Sequence, residues 1–120
     1  MTAHMARPVA LVTGASRQRG IAAALARGLA QSGWDVATTF WRPYDATMPW
    51  GSHPEDLAQL TAELGVAGAA TVALEADLTD MSAPARIFAA VEAALGPVSA
   101  LVLAHCQSVD SGILDTCAGW

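Results

Sequence analysis

Apolar and polar positions alternate between two periods along the chain. Val9 to Thr13 opens with the uninterrupted run Val9-Ala10-Leu11-Val12, the length and type of a strand buried on both faces. From Gly20 to Gln31 the pattern changes to a helical one, with Ile21, Ala24, Leu25, Gly28 and Leu29 on one side and Gly33 placed to end it. A second strand is expected over Asp35 to Phe40, which is rich in β-branched Val36, Thr38 and Thr39. Trp41 to His53 reads as a loop broken by Pro43, Pro49 and Gly51. Pro54 then opens a helix whose Glu55 and Asp56 suit the dipole, whose Leu57, Leu60 and Leu64 face inward, and which ends near Gly65. Thr71 to Ala76 is a third strand. Ala83 to Leu95 is a third helix, with Ile87, Phe88, Val91 and Leu95 on one face and Gly96-Pro97 as its stop. Ala100 to Ala104 makes a fourth strand. Met1 to Arg7 reads as a mobile lead-in, and Gln107 to Trp120 as a loop and the start of another helix.

Strands that alternate with helices form a parallel sheet covered on both faces. Right-handed crossovers put the ligand crevice at the carboxyl ends of those strands. Four places are therefore candidates for chemistry: Thr13 to Gly20, Phe40 to Arg42, Asp77-Leu78, and Leu103 to Cys106. The first carries the most information. Strand, glycine turn and helix in that order aim a helix N-terminus, with its unpaired N–H groups, at a phosphate. Gly14 allows the sharp turn, Gly20 lets backbone approach a pyrophosphate, and small Ala22 lets helix and strand pack closely.

Composition narrows the classes. In 120 residues, 53% are apolar and 14% charged, which is one modest globular domain and not a disordered tail. No stretch approaches the roughly eighteen apolar residues a membrane helix needs, and the start lacks the pattern of a signal peptide. A cytoplasmic setting with no membrane partner is the expectation. The net charge of −5 and the lack of any lysine argue against nucleic acid. Cys106 and Cys117 have no metal or redox spacing, and His4, His53 and His105 share none with them or with one another. No metal is expected. Cys106 reads as a buried structural thiol, because its neighbour His105 would point to the opposite face of a strand.

These features together resemble the N-terminal half of a short-chain dehydrogenase/reductase. That family's Thr-Gly-x-x-x-Gly-x-Gly is matched by Thr13, Gly14 and Gly20, with Gln18-Arg19 as an insertion and Ala22 in place of the last glycine. Its adenine-contacting Asp-Leu after the third strand is matched by Asp77-Leu78. Its Asn-Asn-Ala-Gly after the fourth strand falls on Leu103-Ala104-His105-Cys106, which departs from it. The resemblance implies a Rossmann-like, doubly wound α/β domain over the whole chain, truncated after about four strands, with a core over 7–106 and a tail over 107–120. It implies a dinucleotide held by Thr13, Gly14, Ser16, Arg17, Arg19, Gly20, Ile21, Phe40, Arg42, Asp77, Leu78 and Ala104.

Cofactor preference follows from charge. NAD binders place an acid near the end of the second strand. Eighteen residues beyond Ala22, that position is Phe40, which carries no charge. Arg42 follows it, and Arg17 and Arg19 lie in the glycine loop, so guanidinium groups on both sides favour NADP while leaving NAD open. The family's proton-transfer residues, a Ser and a Tyr-x-x-x-Lys, have no counterpart here. Tyr44 is the one tyrosine and lysine is absent, so no catalytic residue is assigned. Three readings stay open: a truncated oxidoreductase, a stand-alone NADP(H)-binding or regulatory module, and an interaction subunit that completes its sheet on a partner. The family's strand order, third-second-first-fourth, leaves Leu101, Val102 and Leu103 on an unguarded edge, where self-association or a partner chain is expected.

Overall fold

The computed structural model of the chain describes residues 7–15, 20–41 and 54–105. The expected loop after Trp41, the tail from Gln107 and the thiol Cys106 lie outside the described residues.

The order of elements is β1 (Val9–Thr13), α1 (Ile21–Gln31), β2 (Asp35–Phe40), α2 (Pro54–Val66), β3 (Thr71–Glu75), α3 (Ala83–Ala94) and β4 (Val98–Leu103). The strands form one parallel sheet in the order β3-β2-β1-β4, as the resemblance implied. Two layers cover it. On one face Val12 and Val36 pack with Ala22, Ala23, Ala26 and Ala30 of α1 and with Leu60 and Leu64 of α2. On the other, Val9, Leu11 and Ala37 pack with Ala83, Ile87 and Val91 of α3. β1 is buried along its whole length, which is why its sequence is an unbroken apolar run.

The helix α1 turns a different face inward from the one its hydropathy predicts. Its buried residues are alanines, whereas Ile21 is 76% and Leu25 41% exposed. A methyl side chain brings the helix axis close to the sheet, and four of them in register do so along nearly the whole helix. The larger residues are left on the flank away from that contact. β4 starts at Val98, two residues earlier than expected, because a register shift against β1 lets Val9 pair with Val98 and Ala10 with Ala100. Its outward residues Leu101 and Leu103 are 48% and 66% exposed.

Both helices on the first face end in left-handed glycines. Gly33 (φ 98°) lets Trp34 N–H reach the Leu29 carbonyl, and Gly68 (φ 94°) lets Ala69 N–H reach that of Leu64. The helix α2 ends at Val66, near Gly65 as the sequence suggested. Arg7, expected in a mobile lead-in, is instead a fixed part of the fold. Its Nη2 donates to the carbonyls of Ala30 and Trp34, both at 2.8 Å. Its Nε stands 3.1 Å from Asp35 Oδ1 as an ion pair, without hydrogen-bond alignment. A cation at the C-terminus of α1 meets the negative end of the helix dipole.

Candidate dinucleotide site

The carboxyl ends of the four strands bring the expected positions together along one edge of the sheet. β1 ends in buried Thr13, and the chain leaves it through Gly14 at φ 82°. That conformation suits glycine, and a second constraint is steric: a Cβ here would sit 2.9 Å from His105 Cα and 3.1 Å from the Ala104 carbonyl oxygen. Gly14 is thus required by β4 as well as by the turn. The amides of Gly14 and Ala15 both donate to the Thr39 carbonyl of β2, at 3.0 and 2.8 Å. These two donors are consumed inside the protein and do not face a ligand.

Donors for a ligand lie further on, at the start of α1. Gly20 is its N-cap in an extended conformation, with no side-chain cap and no acidic residue in the first turn. Ile21 is the exposed first residue. The first amides of a helix have no partner within it, and Gly20 has no side chain to offer them.

Across the sheet, Phe40 closes β2 with 7% exposure, and its carbonyl accepts from Ala76 N–H at 3.0 Å. Asp77 follows β3 and is half-buried. Its Oδ1 accepts from the Thr79 amide at 2.9 Å and the Thr79 hydroxyl at 2.6 Å. This turn fixes the carboxylate and leaves Oδ2 without a hydrogen bond to a described residue. Leu78 packs on the α3-side core, and Ala104 on the opposite core. Beyond β4, Ala104 N–H donates to Thr13 Oγ1 at 3.1 Å, and His105 Nδ1 stands 2.6 Å from the same oxygen. Ser16, Arg17, Arg19 and Arg42 lie outside the described residues, so the expected basic rim has no observed geometry. No group of three His, Cys, Asp or Glu residues among the described ones is arranged to hold a metal.

This arrangement matches a known family. Its profile, that of the short chain dehydrogenases, aligns with residues 8–115. The chain belongs to the short-chain dehydrogenase/reductase family.

Solved structures superpose along the same frame. A Sinorhizobium meliloti 1021 protein described as a short-chain dehydrogenase/reductase is 36% identical, with a TM-score of 0.69 over 98% of this chain and 46% of its own. A dehydrogenase/reductase from the same organism is 30% identical, with a TM-score of 0.72 over 95% of this chain and 40% of its own. A blue fluorescent protein from a metagenomic library, solved with NADPH, is 33% identical, with a TM-score of 0.63 over 78% of this chain and 34% of its own. No curated protein sequence matches the chain. The chain thus spans less than half the length of these structures. No helix among the described residues is long and apolar enough to cross a membrane.

His105 is the residue of this site that the sequence reading passed over. It shares no metal spacing with the other histidines or the cysteines, yet it falls on the third residue of the family's Asn-Asn-Ala-Gly. That departure was the available signal.

Proposed function

We propose that this chain is the dinucleotide-binding portion of a short-chain dehydrogenase/reductase-type oxidoreductase and that it takes NADP(H). The observation that carries the reading is the N-terminus of α1, begun by Gly20 with no acid in its first turn, following the Gly14 turn at the carboxyl end of a central strand. A helix start with no acid of its own suits a pyrophosphate. The free Oδ2 of Asp77 suits the adenine amino group, and Arg17, Arg19 and Arg42 would grip a 2′-phosphate. The NADPH bound to the metagenomic relative supports the same choice of cofactor.

In the family the bound nicotinamide exchanges a hydride with a carbonyl or an alcohol. This chain's own residues bind and orient. Thr13 ties the glycine turn to β4, Thr39 anchors Gly14 and Ala15, and Thr79 aims Asp77. Proton transfer is a separate task, and with no lysine and only Tyr44 as a tyrosine, these 120 residues hold no Tyr-x-x-x-Lys to perform it. A non-catalytic NADP(H)-binding module is the alternative.

Fluorescence titration of the folded chain with NADPH and NADH tests this reading. NADPH is expected to bind about tenfold more tightly, the effect of roughly one charge-assisted contact. Arg42→Ala is expected to narrow that gap. Equal affinity for the two would remove the arginine argument, and no binding of either would remove the reading.

A further inference from the structure

The chain leaves β2 through Phe40 and Trp41, two aromatic residues with opposite surroundings. Phe40 is 7% exposed and belongs to the fold, whereas Trp41 is 38% exposed. Among the described residues Trp41 is the one exposed tryptophan, tyrosine or phenylalanine. Its place is fixed by backbone on both sides. Toward β1, the Gly14 and Ala15 amides donate to the Thr39 carbonyl at 3.0 and 2.8 Å. Toward β3, the Ala76 amide donates to the Phe40 carbonyl at 3.0 Å. Trp41 and Asp77 are the next residues along, so they leave neighbouring strand ends side by side, at roughly the strand spacing of about 5 Å. Trp41 thus stands at the carboxyl edge of the sheet, between the glycine turn and the Asp77 carboxylate. Asp77 Oδ2 has no hydrogen bond to a described residue. A carboxylate can bond the edge of a heterocyclic base, and an indole can cover its face. An indole exposed to water also gains by being covered with a flat partner.

We propose, on the nucleotide-binding reading above, that Trp41 is a cofactor-binding residue whose indole stacks on the adenine ring of the dinucleotide, beside Asp77 at the ring's edge. Stacking needs only the π-face of a base and tolerates any of them. Trp41 therefore supplies affinity, and the carboxylate supplies the choice of adenine. Because adenine is common to both cofactors, Trp41 does not choose between NADPH and NADH. Here it differs from the role proposed for Arg42.

The test uses ADP-ribose, which carries the adenine and the pyrophosphate but no nicotinamide, titrated calorimetrically into the full chain and two variants. Trp41→Ala is expected to weaken ADP-ribose, NADPH and NADH alike, by about tenfold. Trp41→Phe keeps an aromatic face and is expected to recover most of the loss. ADP-ribose does not absorb where tryptophan emits, so quenching of the protein fluorescence reports contact with an indole. It should quench the parent, and most of that quenching should vanish in Trp41→Phe although the ligand still binds. Unfolding midpoints check that the variants fold; if Trp41→Ala does not, the quenching in Trp41→Phe decides. Equal binding by parent and Trp41→Ala overturns the role of Trp41 and leaves the nucleotide reading intact. Quenching that persists in Trp41→Phe, or a parent that binds NADPH but not ADP-ribose, overturns it as well. A parent that binds none of the three overturns both.

Discussion

The N-termini of α1 and α3 carry the same dipole and are treated in opposite ways. At α3 the protein supplies its own anion. Asp80 Oδ1 accepts from the Ser82 amide at 2.9 Å and the Ser82 hydroxyl at 2.8 Å, while Oδ2 pairs with Arg86 at 3.0 Å. These bonds, the Ser82 amide first, hold the Asp80 pKa below its usual 3.8. The helix α2 likewise has Glu55 and Asp56 in its first turn. Neither α1 nor α3 has an acid in its first turn, but α1 starts at Gly20, which has no side chain, whereas α3 starts at Ser82 with the Asp80 carboxylate bonded to it. The other end of α1 is served, since Arg7 closes onto the Ala30 and Trp34 carbonyls. One helix thus has a cation at its C-terminus and neither a capping side chain on Gly20 nor an acid in its first turn at its N-terminus. A helix start without an anion of its own costs a little stability and suits a phosphate.

The comparison can be broken most severely at Gly14, which sets how α1 leaves the sheet. Gly14→Val puts a branched side chain at φ 82° and drives its Cβ into the His105 backbone. The expected loss is about 3 kcal/mol, from the strained conformation and the overpacking together. Against a total of about 5–15 kcal/mol this is a large share, and denaturant unfolding would show it. Nucleotide binding is expected to disappear with it. A variant as stable as the parent would mean that β4 does not close on this turn.

A smaller effect is expected from giving α1 a carboxylate at its start. Gly20 has φ −77° and ψ 163°, which any residue can adopt. Gly20→Asp should therefore cap the helix and raise stability by about 0.3–1 kcal/mol. The same carboxylate would occupy the anion site and repel a pyrophosphate, and NADPH affinity is expected to fall at least about tenfold. Stability up and affinity down is the signature. Affinity unchanged in calorimetric titration would move the phosphate away from this helix.

The smallest effect is expected at the helix that has no ligand to hold. Asp80→Asn should lower the unfolding midpoint slightly and leave cofactor affinity unchanged, because Asp80 is exposed and screened. The sign of the pH dependence follows from its lowered pKa. The carboxylate contributes stability above its unfolded value near 3.8, and this is lost as pH falls through the lower folded value. The variant should lack that part of the acid dependence in a pH series of thermal melts. An unaltered series would mean that the Asp80 bonds add nothing to the fold.

The sequence alone determined the order of strands and helices, because each element's period is written in consecutive residues. It also marked the inward leucines of α2, Ile87 and Val91 of α3, and Gly33 as a helix stop, all of which depend on local pattern. The family's motif residues placed Thr13, Gly14, Asp77 and Ala104 at the strand ends, where the fold has them. The face of α1 could not be read this way. Hydropathy ranks leucine above alanine, but a helix lying close on a sheet selects for small size, and closeness is a property of two elements together. Arg7 looked like part of a loose lead-in because its acceptors are carbonyls of Ala30 and Trp34, more than twenty residues away. His105 looked unemployed for the same reason. Its partner Thr13 becomes a neighbour only when β4 docks beside β1, and a hydrogen bond across 92 positions leaves no periodic trace in the chain.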